Sequence, residues 1–253
     1  MLKIDIRTNV DDLKRQLTAL QQKEVPFATV VALTRTAGDA KDAVVEEMKR
    51  VFDRPTRWTL ESMRVEPAKK TQAVPMAEVL WKDFADHGTE GGKYLRPQIE
   101  GGTRRFKRYE GAMLHAGVIP NGMFTVPGPG AEIDAHGNMS PAQIVKMLSD
   151  LRATRDATQW RSEKSRGVRK MERYWVGRPQ SRAPHGVYVS RPGQPDMLVL
   201  LFVSTANYKK RLDFKGVVER TMRQRFAYQF RKALDETTSG AYGKGKPTRR
   251  RAA

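Results

Sequence analysis

Residues Pro26 to Phe52 read PFATVVALTRTAGDAKDAVVEEMKRVF. Phe27, Val30, Thr34, Ala37, Val44, Met48 and Val51 recur at three- and four-residue steps, the period of one helix face, so a long helix is expected over 26–52. Pro26 suits its first turn, where a missing N–H costs nothing. Arg54-Pro55 should stop it, because a residue before proline is pushed out of the helical region. Ala28, Ala32, Ala37, Ala40 and Ala43 leave room for another element to approach closely, while Lys41 interrupts the stripe.

Upstream, Leu2 to Ile6 reads as a short strand. Val10 to Gln22 reads as a helix with Leu13, Leu17 and Leu20 on one side and Asn9 or Asp11 as its cap. Downstream, Ser62 to Ala68 and Ala77 to Phe84 are extended and suit an antiparallel pair. Gly186 to Ser190 and Met197 to Ser204 form two more strands around an Arg191-Pro192-Gly193-Gln194-Pro195 turn, the second apolar enough to be central. A final helix, about Phe214 to Leu234, places Phe214, Val218, Met222, Phe226, Phe230 and Leu234 at four-residue intervals. The expected fold class is α+β, an antiparallel sheet packed against the long N-terminal helix and the C-terminal helix. Phe27, Val30, Val44, Met48, Leu200, Phe202, Phe226 and Phe230 are the candidate core.

The stretch from His87 to Gly130 differs in character. Gly88, Gly91-Gly92, Gly101-Gly102, Gly111, Gly117, Gly122 and Val126-Pro127-Gly128-Pro129-Gly130 leave one short helical candidate, Thr103 to His115, and read as an extended excursion. Ser140-Pro141-Ala142-Gln143 opens a helix, with serine as cap, proline in the first turn and glutamine at the reciprocal capping position. Ile144, Leu148 and Leu151 give that helix one apolar side. The expected organisation is a core domain of residues 1–87 and 183–238, an extended insertion or arm over 88–182 with a helix near 140–160, and a disordered basic tail over 239–253.

Charge is regional. The chain carries 47 Lys and Arg against 28 Asp and Glu, net +19, yet residues 1–90 hold 15 of each, so the excess lies wholly beyond residue 90. Such asymmetry points to an anionic partner, either nucleic acid or an acidic protein face. Residues 152–182 carry 10 basic against 3 acidic residues. The candidate partner-facing cations are Arg104, Arg105, Lys107, Arg108, Arg161, Lys164, Arg166, Arg169, Lys170 and Arg173. Arg104-Arg105-Phe106-Lys107-Arg108-Tyr109 and Arg169-Lys170-Met171-Glu172-Arg173-Tyr174-Trp175 interleave phosphate-pairing cations with rings that can stack on bases. The competing reading packs Phe106, Tyr109, Tyr174 and Trp175 inward beneath arginine stems, leaving contacts to phosphates without sequence choice.

No cysteine is present, so disulfides, thiol nucleophiles and cysteine-ligated zinc are excluded, as suits a reducing cytoplasm. Met197 to Val203, the most apolar run, is strand-sized, and the start of the chain lacks a signal-peptide core, so no membrane association is expected. His87, His115, His136 and His185 show no metal-ligand spacing, and Asp86-His87 and Asp134-Ala135-His136 read as turn residues. Neither phosphate-cradling glycine motif nor a Gly-x-Ser-x-Gly elbow occurs. The chain is expected not to be an enzyme and to need no cofactor or metal.

Ala28-Thr-Val-Val-Ala-Leu-Thr-Arg-Thr-Ala-Gly-Asp-Ala, on a long helix soon after a small strand and helix, resembles the opening of minor tail protein Z, or tail-completion, proteins of lambda-like tailed bacteriophages. Thr34 stands where that family commonly has asparagine. Tyr208, Arg211 and Phe214, then Val217-Val218 and Phe226 to Leu234, are similar to its terminal helix. The resemblance implies a structural virion protein of the tail or neck, made in the host cytoplasm. It would assemble as a homo-oligomeric ring, a hexamer, at the head-proximal end of the tail and join the head to it. Neighbouring tail, neck or connector proteins would be its partners, with genome DNA reached through phosphate contacts where the basic half faces the lumen. The alternatives are a basic, non-sequence-specific DNA-binding or packaging accessory protein, a metal-dependent nuclease whose carboxylates come from distant strands, and a head decoration protein.

Overall fold

The computed structural model describes residues 18, 20–82, 90–162, 171–177 and 183–239. The chain is α+β and forms two compact units. The expected strand Leu2 to Ile6, most of the expected helix Val10 to Gln22, and the basic tail from 240 onward lie outside the described residues.

The first unit holds residues 1–51, 57–92 and 212–253. A π-helical turn, Leu20–Glu24, leads into α1, Val25–Val51, followed by the short α2, Arg57–Leu60, and the hairpin of β1, Met63–Glu66, and β2, Glu78–Trp81. The hairpin is antiparallel, with Met63 opposite Trp81 and Glu66 opposite Glu78. The long final helix, Phe214–Thr238, closes the unit. Ala28, Ala32, Thr36, Ala40, Val44 and Met48 are all buried and stand at strict four-residue steps. That row advances about 40° per step, so it winds round the helix instead of holding one face. Its small N-terminal members meet the final helix, where Ala28 and Ala32 pack with Ala233. The two helices run antiparallel, since Arg35 pairs with Glu236 at 2.8 Å while Asp39 pairs with Arg225 at 3.0 Å. Thr34 donates its hydroxyl to the Val30 carbonyl at 2.9 Å and accepts from the Ala68 N–H at 3.2 Å, tying α1 to the chain leaving β1.

Among the candidate core residues, Val44, Met48, Leu200 and Phe202 are buried, whereas Phe27, Val30, Phe226 and Phe230 are half-buried. Met222 is 44% exposed. Phe214, Val218 and Leu234 of that ladder are half-buried as well, and the buried positions of the final helix are Val217, Gln229 and Ala233.

The second unit holds residues 52–56 and 93–211 and corrects the expected organisation. The strands expected to share one sheet do not: β1 and β2 stand alone, while 186–204 belongs to a four-stranded antiparallel sheet of this unit. After α3, Gly91–Glu100, and β3, Gly102–Thr103, come α4, Arg108–His115, and β4, Phe124–Pro127. Next are α5, Pro141–Asp150, a 3-10 turn at Ala157–Gln159, and β5, Arg173–Val176. β6, Gly186–Ser190, β7, Met197–Val203, and β8, Asn207–Tyr208, complete the unit, and the final helix of the first unit is α6 in this numbering. The sheet order is β4-β7-β6-β5, so both edge strands come from the segment expected to be an arm. Its core joins Tyr109 and Met113 of α4 and Met147 of α5 to Tyr174, Val187, Val189, Leu200 and Phe202 of the sheet.

The glycines punctuate this unit without dissolving it. Gly122 turns at φ 78°, a conformation costly for other residues. At Gly128 a Cβ would lie 2.5 Å from the Leu198 carbonyl oxygen, so glycine lets the chain leave β4 tightly against β7. Pro127 is tolerated because β4 is an edge strand. The capping expectation at α5 is also corrected. Ser140 makes no side-chain cap bond, and Gln143, 1% exposed, donates to the Gly130 carbonyl at 2.9 Å and accepts from the Glu132 N–H at 2.8 Å. It braces the incoming loop instead of capping the helix.

Candidate polyanion-binding surface

The two basic, ring-bearing segments read from sequence fare differently. Gly101 and Gly102, at φ 81° and 93°, swing the chain out of α3 into β3. There Gly102 pairs with Tyr208 and Thr103 with Asn207. The pairing extends on both sides: the Arg104 N–H donates to the Ala206 carbonyl at 3.2 Å, and the Arg211 N–H to the Gln98 carbonyl at 2.7 Å. In this antiparallel register residues 208–211 run back along residues 98–102, while residues from 104 onward leave the ladder at its other end beside Ala206, so the two basic runs flank the ladder.

Arg105, Lys107, Arg108, Lys209, Lys210 and Arg211 are all exposed. Two rings accompany them, Phe106 at 41% exposure and Tyr208 at 38%. Phe106 stacks on Phe124 with ring centroids 4.6 Å apart, which anchors the loop to β4. The nearby carboxylates are already engaged: Glu100 with Arg96 at 2.7 Å, and Glu110 with Arg104 at 2.6 Å. Among the described residues, Arg105, Lys107, Arg108, Lys209 and Arg211 form no salt bridge, and burial together with the neighbouring Arg104 charge lowers the pKa of the Lys107 ammonium.

Arg104 plays another part. Glu110 is fully buried and accepts from both Arg104 guanidinium nitrogens at 2.6 Å, from the Lys107 N–H at 2.6 Å, and from the Thr125 N–H and hydroxyl at 2.8 and 2.7 Å. Burial alone would raise its carboxyl pKa. The Arg104 fork and these donors outweigh burial and hold it below the ordinary value. Arg104 also donates to the Thr125 carbonyl at 3.1 Å, and the Tyr109 hydroxyl reaches Thr125 Oγ1 at 3.0 Å. One buried carboxylate thus fixes the start of the basic loop, the first turn of α4 and the edge strand β4 together.

Arg161 is likewise structural. It pairs with the nearly buried Asp150 at 3.1 Å and donates to the Glu172 carbonyl, while Asp150 accepts from the Tyr174 N–H at 2.9 Å. Arg173 is exposed on edge strand β5 opposite Ser190, at the corner of the sheet diagonal to the Phe124–Val203 pair. Lys164, Arg166, Arg169 and Lys170 lie outside the described residues. Tyr109 and Tyr174 pack inward, and Trp175 stacks on Tyr188 at 5.0 Å, so of the four interleaved rings Phe106 is the most open to solvent.

Tyr208, Lys209, Lys210 and Arg211 were missed as surface residues. Their basic run was visible, but Tyr208 and Arg211 were assigned to the terminal helix, which starts at Phe214. Only the strand pairing shows that this run lies along residues 98–102. Asp134 receives the His136 and Asn138 N–H groups, both at 2.8 Å, as the turn reading expects, and among the described residues no group of three His, Asp or Glu is placed to hold a metal. No described helix is long and apolar enough to cross a membrane. Comparison of the chain with protein-family models, with curated proteins and with solved structures gives no match.

Proposed function

We propose that the chain is a structural protein of a tailed-bacteriophage virion, a tail-completion or minor-tail component that forms a homo-oligomeric ring at the head-proximal end of the tail. One observation carries the reading. Of the two stretches that resemble that family, Ala28 to Ala40 and the run from Tyr208 to Leu234, the first and the part of the second from Phe214 onward lie far apart in sequence yet pack on each other as an antiparallel helix pair, with Ala28 and Ala32 against Ala233. Asp39 bonds both Arg225 and Gln229, at 3.0 and 2.7 Å. Thr34, which stands where the family usually has asparagine, accepts from the Ala68 N–H.

The inserted unit, 93–211, has its own core, so ring contacts are assigned to folded surfaces and not to a wrapping arm. Its partners on this reading are further copies of the chain and adjoining tail, neck or connector proteins. Its role is assembly, not catalysis. Quantitative mass spectrometry of purified particles tests the proposal: a copy number fitting one ring, a hexamer, is expected, and absence from washed, intact particles contradicts it.

A further inference from the structure

We infer that the trough between α1, α2 and the open end of the β1–β2 hairpin docks an extended acidic segment of a partner protein, one that lays an apolar side chain against Val45, Leu60 and Met63 and sets carboxylates beside Lys41 and Lys82. The virion role does not assign this trough, so its test can fail while that role stands.

The trough is built within the first unit. Lys41, Val45 and Lys49 stand at four-residue steps and so share one side of α1. The Lys82 N–H donates to the Ser62 carbonyl at 2.8 Å, and the Ser62 hydroxyl donates to the Thr59 carbonyl at 2.6 Å, which ties the end of the hairpin to α2. Between these elements lies an open cavity of about 500 Å³ whose apolar lining is Val45, Leu60 and the buried Met63. A smaller cavity of about 80 Å³ shares Glu61 and Lys82 with it and adds Trp58, 49% exposed.

Charge decides the occupant. Of the four cations lining the larger cavity, Lys49 pairs with Glu46 at 2.7 Å and Arg57 with Glu61 at 2.6 Å. Among the described residues the Lys41 and Lys82 side chains form no hydrogen bond or ion pair. Lys41, the residue that interrupts the apolar stripe of α1, is half-buried, and a charge drawn partly out of water without a counter-ion leaves its desolvation uncompensated. An incoming carboxylate supplies the missing partner. A nucleic acid carries a phosphate at every step and cannot avoid Asp42, which lines the cavity and forms no ion pair among the described residues, whereas a peptide places carboxylates only beside the lysines. Small-molecule sites enclose most of their ligand, and this one is open to solvent. A peptide segment with an apolar side chain between acidic residues meets the aliphatic lining, the two unpaired lysines and the opening together.

The experiment titrates the full chain with the fluorescein-labelled peptide Gly-Asp-Glu-Leu-Glu-Asp-Gly at about 0.15 M salt, where exposed charges elsewhere on the chain are screened beyond about 8 Å. A Kd of about 0.1 mM is expected. Serine in place of the leucine should weaken binding about tenfold, and lysines in place of the acids should abolish it. Lys41→Met, which keeps the length of the side chain, and Lys82→Met should each cost about tenfold. A control on the exposed side of α6, Arg223 and Arg231 both to alanine, removes two charges and should leave binding within about twofold. Matched circular dichroism guards against unfolding, and the peptide series needs no variant of the chain. No binding at about 1 mM peptide, equal affinity for the serine-substituted peptide, or an equal loss in the α6 control would overturn the inference. So would an oligothymidylate whose binding falls in Lys41→Met by the same factor, which would give the trough to nucleic acid.

Discussion

Glu110→Gln removes one charge from a site closed to solvent. The carboxylate is fully buried and receives five donors, three on Oε1 and two on Oε2. A glutamine must put an NH2 group at one of those oxygens. If it takes the Oε2 side, an Arg104 nitrogen and the Lys107 N–H each lose an acceptor and face a donor. Breaking a buried ion pair from one side costs about 3–5 kcal/mol, and the Arg104 side chain, 12% exposed, recovers little from solvent. We therefore expect the second unit to lose about 3–4 kcal/mol. Urea unfolding can read it through Trp160 and Trp175, with Trp58 and Trp81 replaced by phenylalanine in both backgrounds, because each unit holds two of the four tryptophans. With a urea dependence of about 2 kcal/mol per molar, the midpoint should fall by about 2 M. Pairing the change with Arg104→Met should show a coupling of about 2 kcal/mol or more, since removing both charges spares the uncompensated one. A midpoint within about 0.5 M of the parent would refute the reasoning.

The same cluster sets an acid limit. Because the folded Glu110 carboxyl is held below its ordinary value of 4.5, its contribution is complete above about pH 4.5 and is lost as pH falls through the folded value. The stability gap between wild type and Glu110→Gln should therefore shrink below pH 4.5, and a constant gap from pH 7 to 3 would contradict this. Ala32→Leu forces a large side chain into the fully buried contact between α1 and α6 and should cost about 1–3 kcal/mol by thermal unfolding of the first unit. Asp39→Ala, at a pair whose Arg225 is 49% exposed, should cost under about 1 kcal/mol, whereas Met48→Ala should cost about 2–5 kcal/mol. Gly128→Ala drives a Cβ to 2.5 Å from a backbone oxygen that cannot yield locally, so it should destabilise the second unit, and a neutral result would show that β4 leaves β7 less tightly than described.

Local periodicity carried the first unit into view. The 26–52 helix, the antiparallel pair after it and the terminal helix could be read because each repeats within a few residues: α1 runs Val25–Val51, and Met63 lies opposite Trp81. The second unit could not be read in that way. Glycine at turns and close approaches looks, in sequence alone, like glycine in an unstructured arm. Strands as short as Phe124–Pro127 and Arg173–Val176 carry too few alternations to show a period. Arg105, Lys107 and Arg108 could be read as exposed cations. Arg104 looked equivalent to them because a sequence does not show that Glu110 lies beneath it, and that Tyr208 lies opposite Gly102 is set by a two-residue ladder spanning a hundred positions.

Native-state hydrogen exchange of the full chain bears most directly on the two-unit organisation. Amides of β6 and β7, and the Thr125 N–H bonded to Glu110, should be protected on the scale of global unfolding, as should those of α1. Exchange across residues 93–211 at the rate of an unstructured chain, beside a protected α1, would show that the middle segment has no core of its own.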